Sequence, residues 1–165
     1  MLWFAVQVAP QHEQKVALLL QYKGYEQFLP TRTSRRHWSD RIKILKAPLF
    51  PGYIFCRAAR SSFGAILNTR GVHRIVCFGG RPCPIPEVEI KTLQKAVESG
   101  KDVIEVPYLS AGQRVKIAGG PLAGVIGIVT RQKNSSRLIV SIEIIMRSIS
   151  VEIASSDLIA LDPAS

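Results

Sequence analysis

The chain has 165 residues, 47% hydrophobic and 21% charged, which suits one ordinary domain or two small ones and excludes a mainly disordered protein. Its longest apolar runs, such as "VALLL" at 16–20, are far too short to cross a bilayer. The N-terminal "MLWFAVQVAPQHEQ" has neither a basic region ahead of its apolar run nor a cleavage site, so a cytoplasmic protein is expected, with no membrane partner. Net charge is +10; residues 1–106 carry 16 Lys and Arg against 8 Asp and Glu, whereas 107–165 carry 6 against 4. A basic first part points to a polyanion, and in the cytoplasm the commonest is nucleic acid.

The elements follow in order. "WFAVQV" (3–8) alternates as a strand, and "HEQKVALLLQYKG" (12–24) sets Val16, Leu19 and Leu20 on one helical face with Gly24 as the stop. "YEQFLP" (25–30) returns as a strand. The polar, basic "RTSRRHWSDRIKILK" (32–46) reads as a projecting loop or hairpin. "GYIFCR" (52–57) is a strand, with Pro48 and Pro51 fixing its entry. "SSFGAILNTRG" (61–71) is a short helix capped by Ser61 or Ser62, with Phe63, Ile66 and Leu67 inward. "VHRIVCF" (72–78) is a strand, and "PEVEIKTLQKAVESG" (86–100) is a helix between a proline and a glycine. The order strand–helix–strand–strand–helix–strand predicts an α+β, ferredoxin-like split βαβ arrangement.

After residue 100 the pattern changes. "RVKIA", "VIGIV", "RLIVSI", "SISVEI" and "DLIAL" are five short strands that predict a small β-barrel. The expected domains are 1–101 and 112–165, with a hinge or linker over 102–111. "GGPLAGVIG" (119–127) lacks the Gly-Lys-Ser/Thr ending of a phosphate loop and runs into β-branched residues, so Gly119, Gly120 and Gly124 read as barrel turns.

Alternation along each strand separates its faces. Ile54 and Cys56 oppose Tyr53, Phe55 and Arg57; Ile75 and Cys77 oppose Arg74, Val76 and Phe78; Trp3, Ala5 and Gln7 form a mixed face. Tyr53, Phe55 and Phe78 are candidates for an exposed contact patch. The alternative is that the linker, the other domain or a second copy covers them.

The basic segment holds six Lys and Arg and one acid, Asp40. Arg32, Arg35, Arg36, Arg41 and Lys43 are candidate phosphate contacts, with Trp38 or His37 stacking on a base; a merely solvated basic loop is the alternative. Cys56, Cys77 and Cys83 have no C-x-x-C spacing, and His12, His37 and His73 are scattered, so no metal or cofactor site is expected. No nucleophile motif is present and the acids are few, which gives no support to an enzyme.

The first part resembles the N-terminal (NGN) domain of NusG-type transcription elongation factors through "WFAVQV", "PLFPGYIF" and "LNTRGVHRIVCFGGRPCPIP". The second resembles their SH3-like KOW barrel through "GQRVKIAGGPLAGVIGIV" and "SRLIVSIEIIMRSISVEI". The resemblance implies a factor that binds the clamp helices of RNA polymerase by an apolar patch, bridges the DNA channel and suppresses pausing. It implies Tyr53, Phe55, Phe78 and Gln7 as polymerase-binding residues, and nontemplate or upstream DNA as a further partner. Where RfaH-type members carry a His-Thr-Thr motif, this chain has Ser62, Phe63 and Gly64. Ile145, Met146 and Arg147 fall where the barrel meets its partners, the ribosomal protein NusE among them; housekeeping members usually have a Phe-Gly pair before that arginine. The departure and "RSISVEI" look more like specialised RfaH/UpxY-type paralogues that antiterminate long operons. A housekeeping NusG, and a ribosome-associated KOW-type RNA-binding protein, are the alternatives. A monomer is expected. The barrel of RfaH refolds when docked; the Val- and Ile-rich strands here argue for a stable β form.

Overall fold

The computed structural model describes residues 1–109, 112–132 and 135–162. By internal contacts the chain divides into two compact units, Met1–Glu87 and Val88–Ser165.

The first unit is built on β1 (Leu2–Val8), α1 (Glu13–Tyr22), β2 (Glu26–Phe28), β3 (Thr31–His37), β4 (Ile42–Pro48), β5 (Tyr53–Ala58), α2 (Phe63–Leu67), β6 (Val72–Ile75), β7 (Cys77–Phe78) and β8 (Arg81–Pro82). Its main sheet has the order β2-β5-β1-β6 with every pair antiparallel, the strand order of the ferredoxin-like arrangement. Strands β3 and β4 form a separate two-stranded hairpin, as do β7 and β8. The strand expected over 72–78 is therefore two pieces: β6 stays in the sheet, and β7 leaves it to pair with β8.

One sheet face supplies Phe4, Val6, Val8, Ile54, Cys56 and Ile75 to the core, and Val16, Ala17 and Leu20 of α1 with Ile66 of α2 cover them. Phe63 meets Phe4 edge-on, with ring centroids 4.9 Å apart. Leu67, expected inward, is exposed: α2 is only five residues long, and Phe63 and Ile66 are its residues turned to the core. Nor do Ser61 and Ser62 cap α2: they lie in a 3₁₀ turn over Arg60–Ser62, and neither cap position makes a side-chain hydrogen bond. The far end of α2 is tied instead by Lys23, whose Nζ donates to the Ala65 carbonyl (2.9 Å) and to Thr69 Oγ1 (2.8 Å). This places a cation on the free carbonyls of the helix end.

The second unit comprises α3 (Glu87–Glu98), β9 (Val103–Pro107), β10 (Gln113–Ile117), β11 (Ile126–Gln132), β12 (Ser135–Ile142), β13 (Arg147–Ile153) and β14 (Leu158–Ala160). The five expected strands are present, in a sheet ordered β14-β10-β11-β12-β13-β9. The sixth, β9, corrects the linker expected over 102–111. Residues 103–107 run antiparallel to β13, Pro107 opposite Arg147 and Val103 opposite Val151. Arg147 Nη1 donates to Glu105 Oε1 at 2.6 Å across that pair. Beyond the strand, the hydroxyl of Ser148 accepts from the Leu109 N–H (3.3 Å) and that of Ser141 donates to the Leu109 carbonyl (3.2 Å). The segment's last two residues, 110 and 111, lie outside the described residues. A Val-Ile-Glu-Val run satisfies its backbone groups by pairing with an available edge, which is why it is a strand and not a tether.

Gly71 has a left-handed φ of +95°, and a Cβ there would come within 2.9 Å of Val16 Cγ2. Gly71→Ala is expected to lower the stability of the first unit by about 1–3 kcal/mol, read as an earlier loss of α1 and β6 protection in denaturant-dependent hydrogen exchange. An unchanged midpoint would mean that α1 moves aside freely.

Candidate functional site

The corner "PLFPGY" (48–53) positions the expected docking strand. Leu49 and Phe50 are buried, and the Leu49 N–H donates to the Pro30 carbonyl at 2.8 Å. Gly52, at a φ of +85° that favours glycine, donates its N–H to Glu13 Oε1 (2.8 Å), while its carbonyl accepts from Val8 N–H (2.8 Å). Glu13 is itself buried. A carboxylate from the first turn of α1 thus fixes where β5 begins.

From that start, the register places Tyr53 beside Gln7 and Gln7 beside Arg74, a transverse row over three strands. Arg74 Nε donates to Gln7 Oε1 at 2.7 Å. Tyr53 and Gln7 are half-buried and Arg74 is exposed. The next row is different. Phe55 and its neighbour Ala5 are 0% exposed and Trp3 is 4% exposed, so the face expected to be open is closed at its centre. Phe55 packs against Phe28, stacked, and Phe50, edge-on, each with a centroid separation of 6.2 Å. Phe55 is therefore a support for the site and not its surface. Phe78 is 78% exposed and stands on the β7–β8 ribbon, outside the sheet that holds the other two aromatics. Alternation along β1 and β5 separates the core face from the other one, but it carries no signal for the flanking rings of Phe28 and Phe50. Sequence reasoning also missed Arg74 as the partner of Gln7; a long polar pair facing each other across antiparallel strands becomes visible only once the register is fixed.

The basic segment is the β3–β4 hairpin, closed by reciprocal backbone bonds between Trp38 and Arg41. Arg32, Arg35, Arg41 and Lys43 are all exposed. Arg36 is opposite Lys43 in the register, and its side chain lies outside the described residues. Lys43 Nζ sits 5.7 Å from the centroid of the Trp38 ring, itself 54% exposed. His37 is exposed at the end of β3.

In the barrel, Gly120 and Gly124 have φ of +75° and +84°, as barrel turns require, and a Cβ on Gly119 would lie 3.3 Å from Asp157 Oδ1. The three residues expected at the partner-binding end separate by exposure. Ile145 is buried in the barrel core, a correction to its place among the contact residues: it closes the 3₁₀ turn Glu143–Ile145, whose apolar side chain fills the barrel. Met146 is exposed, at a left-handed φ of +51°. Arg147 is exposed and paired with Glu105. Glu105, Val106, Pro107, Met146 and Arg147 line a shallow hollow of about 340 Å³.

A second hollow, of about 440 Å³, lies between α3 and the barrel and is lined by Glu89, Thr92, Ile126, Ile139 and Glu143 among others. Glu89 Oε2 is buried with no hydrogen-bond partner. Burial raises the Glu89 carboxyl above its usual 4.5; a backbone hydrogen bond from Glu143 opposes this, and the Glu143 carboxylate adds to it. Burial, with Glu26 as the lesser cause, likewise pushes the Cys56 thiol up to about 11, leaving it an inert core residue. Among the described residues, no group of three His, Cys, Asp or Glu is placed to hold a metal ion, and no helix is long and apolar enough to cross a membrane.

An antiparallel sheet backed by two helices, followed by a six-stranded barrel sheet, defines a two-module protein whose candidate sites lie on its surfaces. The family described as "Transcription termination factor nusG" matches residues 1–94, and the chain belongs to the NusG family of transcription termination and antitermination factors. It is 28% identical over 166 residues to the "Transcription termination/antitermination protein NusG" of Lactococcus lactis, covering 92% of this chain and 88% of that protein. The protein of the same name from Borreliella burgdorferi is 26% identical, with 92% and 94% covered. A solved structure described as "Domain interaction in Thermotoga maritima NusG" shares the fold at a TM-score of 0.58 and 20% identity, covering 98% of this chain and 97% of that one.

The native state keeps a proton on Glu89 at pH values where the unfolded chain has lost it. Stability of the second unit is accordingly highest below 4.5 as far as this group is concerned, and falls as pH rises from there through the raised native value. Glu89→Gln is expected to raise the melting temperature of the second unit at pH 7 and to leave it unchanged near pH 4. A variant that melts below the wild type at pH 7 would mean that the carboxylate is stabilising in its ionised form.

Proposed function

We propose that the chain is an operon-specific elongation and antitermination factor that binds RNA polymerase through the end of its first sheet and works by binding alone. The observation that carries this reading is the row Tyr53, Gln7 and Arg74: a half-buried aromatic beside a paired amide and guanidinium, held on a rigid sheet. Such a surface can clasp a helix pair with its ring while its polar groups fix the angle of docking. Phe78 adds a second exposed aromatic on a neighbouring ribbon. Phe55, in the adjacent row of the same face, supports it from the side, packed against Phe28 and Phe50. A factor that binds the closed clamp better than the open one shifts the polymerase toward the closed state by its difference in affinity, and no covalent step is needed.

The hairpin contributes nucleic-acid contact. Arg32, Arg41 and Lys43 offer charge to phosphates of nontemplate or upstream DNA, and Trp38 offers a stacking surface. The operon-specific reading rests on the Ile145-Met146-Arg147 sequence, in which an exposed Met and a paired Arg stand where housekeeping members carry Phe-Gly and arginine. A link from the barrel to NusE would use Met146 and Arg147. In this reading the protein acts in the cytoplasm as a monomer.

Binding of the full chain to RNA polymerase core tests the reading. Tyr53→Ala combined with Phe78→Ala is expected to weaken binding at least tenfold, with the melting temperature within a few degrees of wild type. Undiminished binding would sink the docking row, and no binding by the wild type would sink the polymerase reading. For the hairpin, Arg32→Ala with Lys43→Ala should reduce the slope of log affinity for duplex DNA against log salt by about two. An unaltered slope would remove these residues from phosphate contact.

A further inference from the structure

The β3–β4 hairpin has two unlike faces. Directly opposite residues share a face, so the pairs Thr33 with Lys46, Arg35 with Ile44 and His37 with Ile42 lie on one side. Arg32, Lys43 and Leu45 lie on the other, and Trp38 follows on that side, with Lys43 over its ring. Four of the expected phosphate contacts are thereby divided: Arg32, Arg41 and Lys43 accompany Trp38, while Arg35 belongs to the opposite face.

That opposite face carries an apolar pair with no cover. Ile42 is 58% exposed and Ile44 is 64% exposed, and as alternate residues of one strand they form a continuous aliphatic strip. Among the described residues, strands β3 and β4 pair only with each other, and an isolated two-stranded ribbon is marginal in water. The strip is flanked by Arg35 and Lys46, and neither strand contains an acid.

These observations restrict what can cover it. Branched aliphatic side chains offer neither a π-face for stacking on bases nor charge for phosphates, so nucleic acid fits the Trp38 side, with its ring and Lys43, better than this one. A second copy of the same face would set Arg35 and Lys46 of one chain against those of the other, and like charges opposed across a contact destabilise it. A protein surface with an apolar centre and a rim of carboxylates satisfies both the isoleucines and the cations. We propose that the Ile42–Ile44 face of the hairpin is a second protein-docking surface, fitted to an acidic, apolar-centred patch on RNA polymerase. The hairpin then lies between protein on one side and nucleic acid on the other. The identity of the partner rests on the polymerase reading given above; the division of the faces does not.

The experiment compares full-length wild type, Ile42→Thr/Ile44→Thr, Arg35→Glu and Arg41→Glu/Lys43→Glu. Each is titrated against RNA polymerase core free of nucleic acid and, separately, against a single-stranded 30-nucleotide DNA. Threonine keeps the β-branch, so the ribbon retains its strand preference. The threonine pair is expected to weaken core binding at least fivefold and to leave oligonucleotide affinity within twofold. Arg35→Glu should weaken core binding by a factor that shrinks as salt is raised. Arg41→Glu/Lys43→Glu should do the reverse of the threonine pair, losing the oligonucleotide and keeping the core. Core binding unchanged in both the threonine pair and Arg35→Glu, with the wild type bound, would overturn the docking face alone. An equal loss for core and oligonucleotide in the threonine pair would overturn the division into two faces. A wild type that does not bind the core would overturn the polymerase reading and this proposal together.

Discussion

The first unit depends on one charged contact, the bond from Gly52 N–H to the buried carboxylate of Glu13. Gly52 takes a left-handed conformation that leaves its N–H pointing away from the strand it opens, and that donor needs a partner inside the protein. Glu13 provides it from the first turn of α1, where the helix also exposes free N–H groups that favour a negative charge. Gly52 in turn accepts, through its carbonyl, the N–H of Val8 at the end of β1. The helix α1 and the strands β1 and β5 therefore share one point of reference. From it the register of β5 on β1 is set, and with it the row that places Tyr53 beside Gln7.

Much of this organisation was legible in the sequence because it rests on periodicity. The period of two in "WFAVQV" and "GYIFCR" gave strands with the correct inner face, and the helical spacing of Val16 and Leu20 gave α1 and its buried side. Local rules gave less where competing interactions are long-range. Ser61 and Ser62 have the chemistry of caps, yet the chain there tightens into a 3₁₀ turn, and Lys23, far away in sequence, secures the other end of α2. Alternation places Phe55 on a face without telling whether anything lies on it. The stacking of Phe28 and Phe50 against it is tertiary information. Ile145 shows the same limit in the barrel, where motif position suggested contact and packing made it core.

The two aromatic-bearing regions of the first unit do different physical work. In the sheet, rings and polar groups are held by neighbours on several strands. In the hairpin, pairing is limited to two strands and the side chains project into solvent.

The added strand β9 has a practical consequence for cutting the molecule into parts. A fragment begun at the glycine of "GQRVKIA" would contain every strand of the expected barrel and still leave β13 with an uncovered edge. Ser148, 0% exposed in the intact chain, would lose the Leu109 N–H that its hydroxyl accepts. An open, β-branched edge of seven residues is a template for pairing with other copies. A fragment of the barrel therefore has to include β9, and the stretch that resembles a tether is the piece that covers the edge of β13.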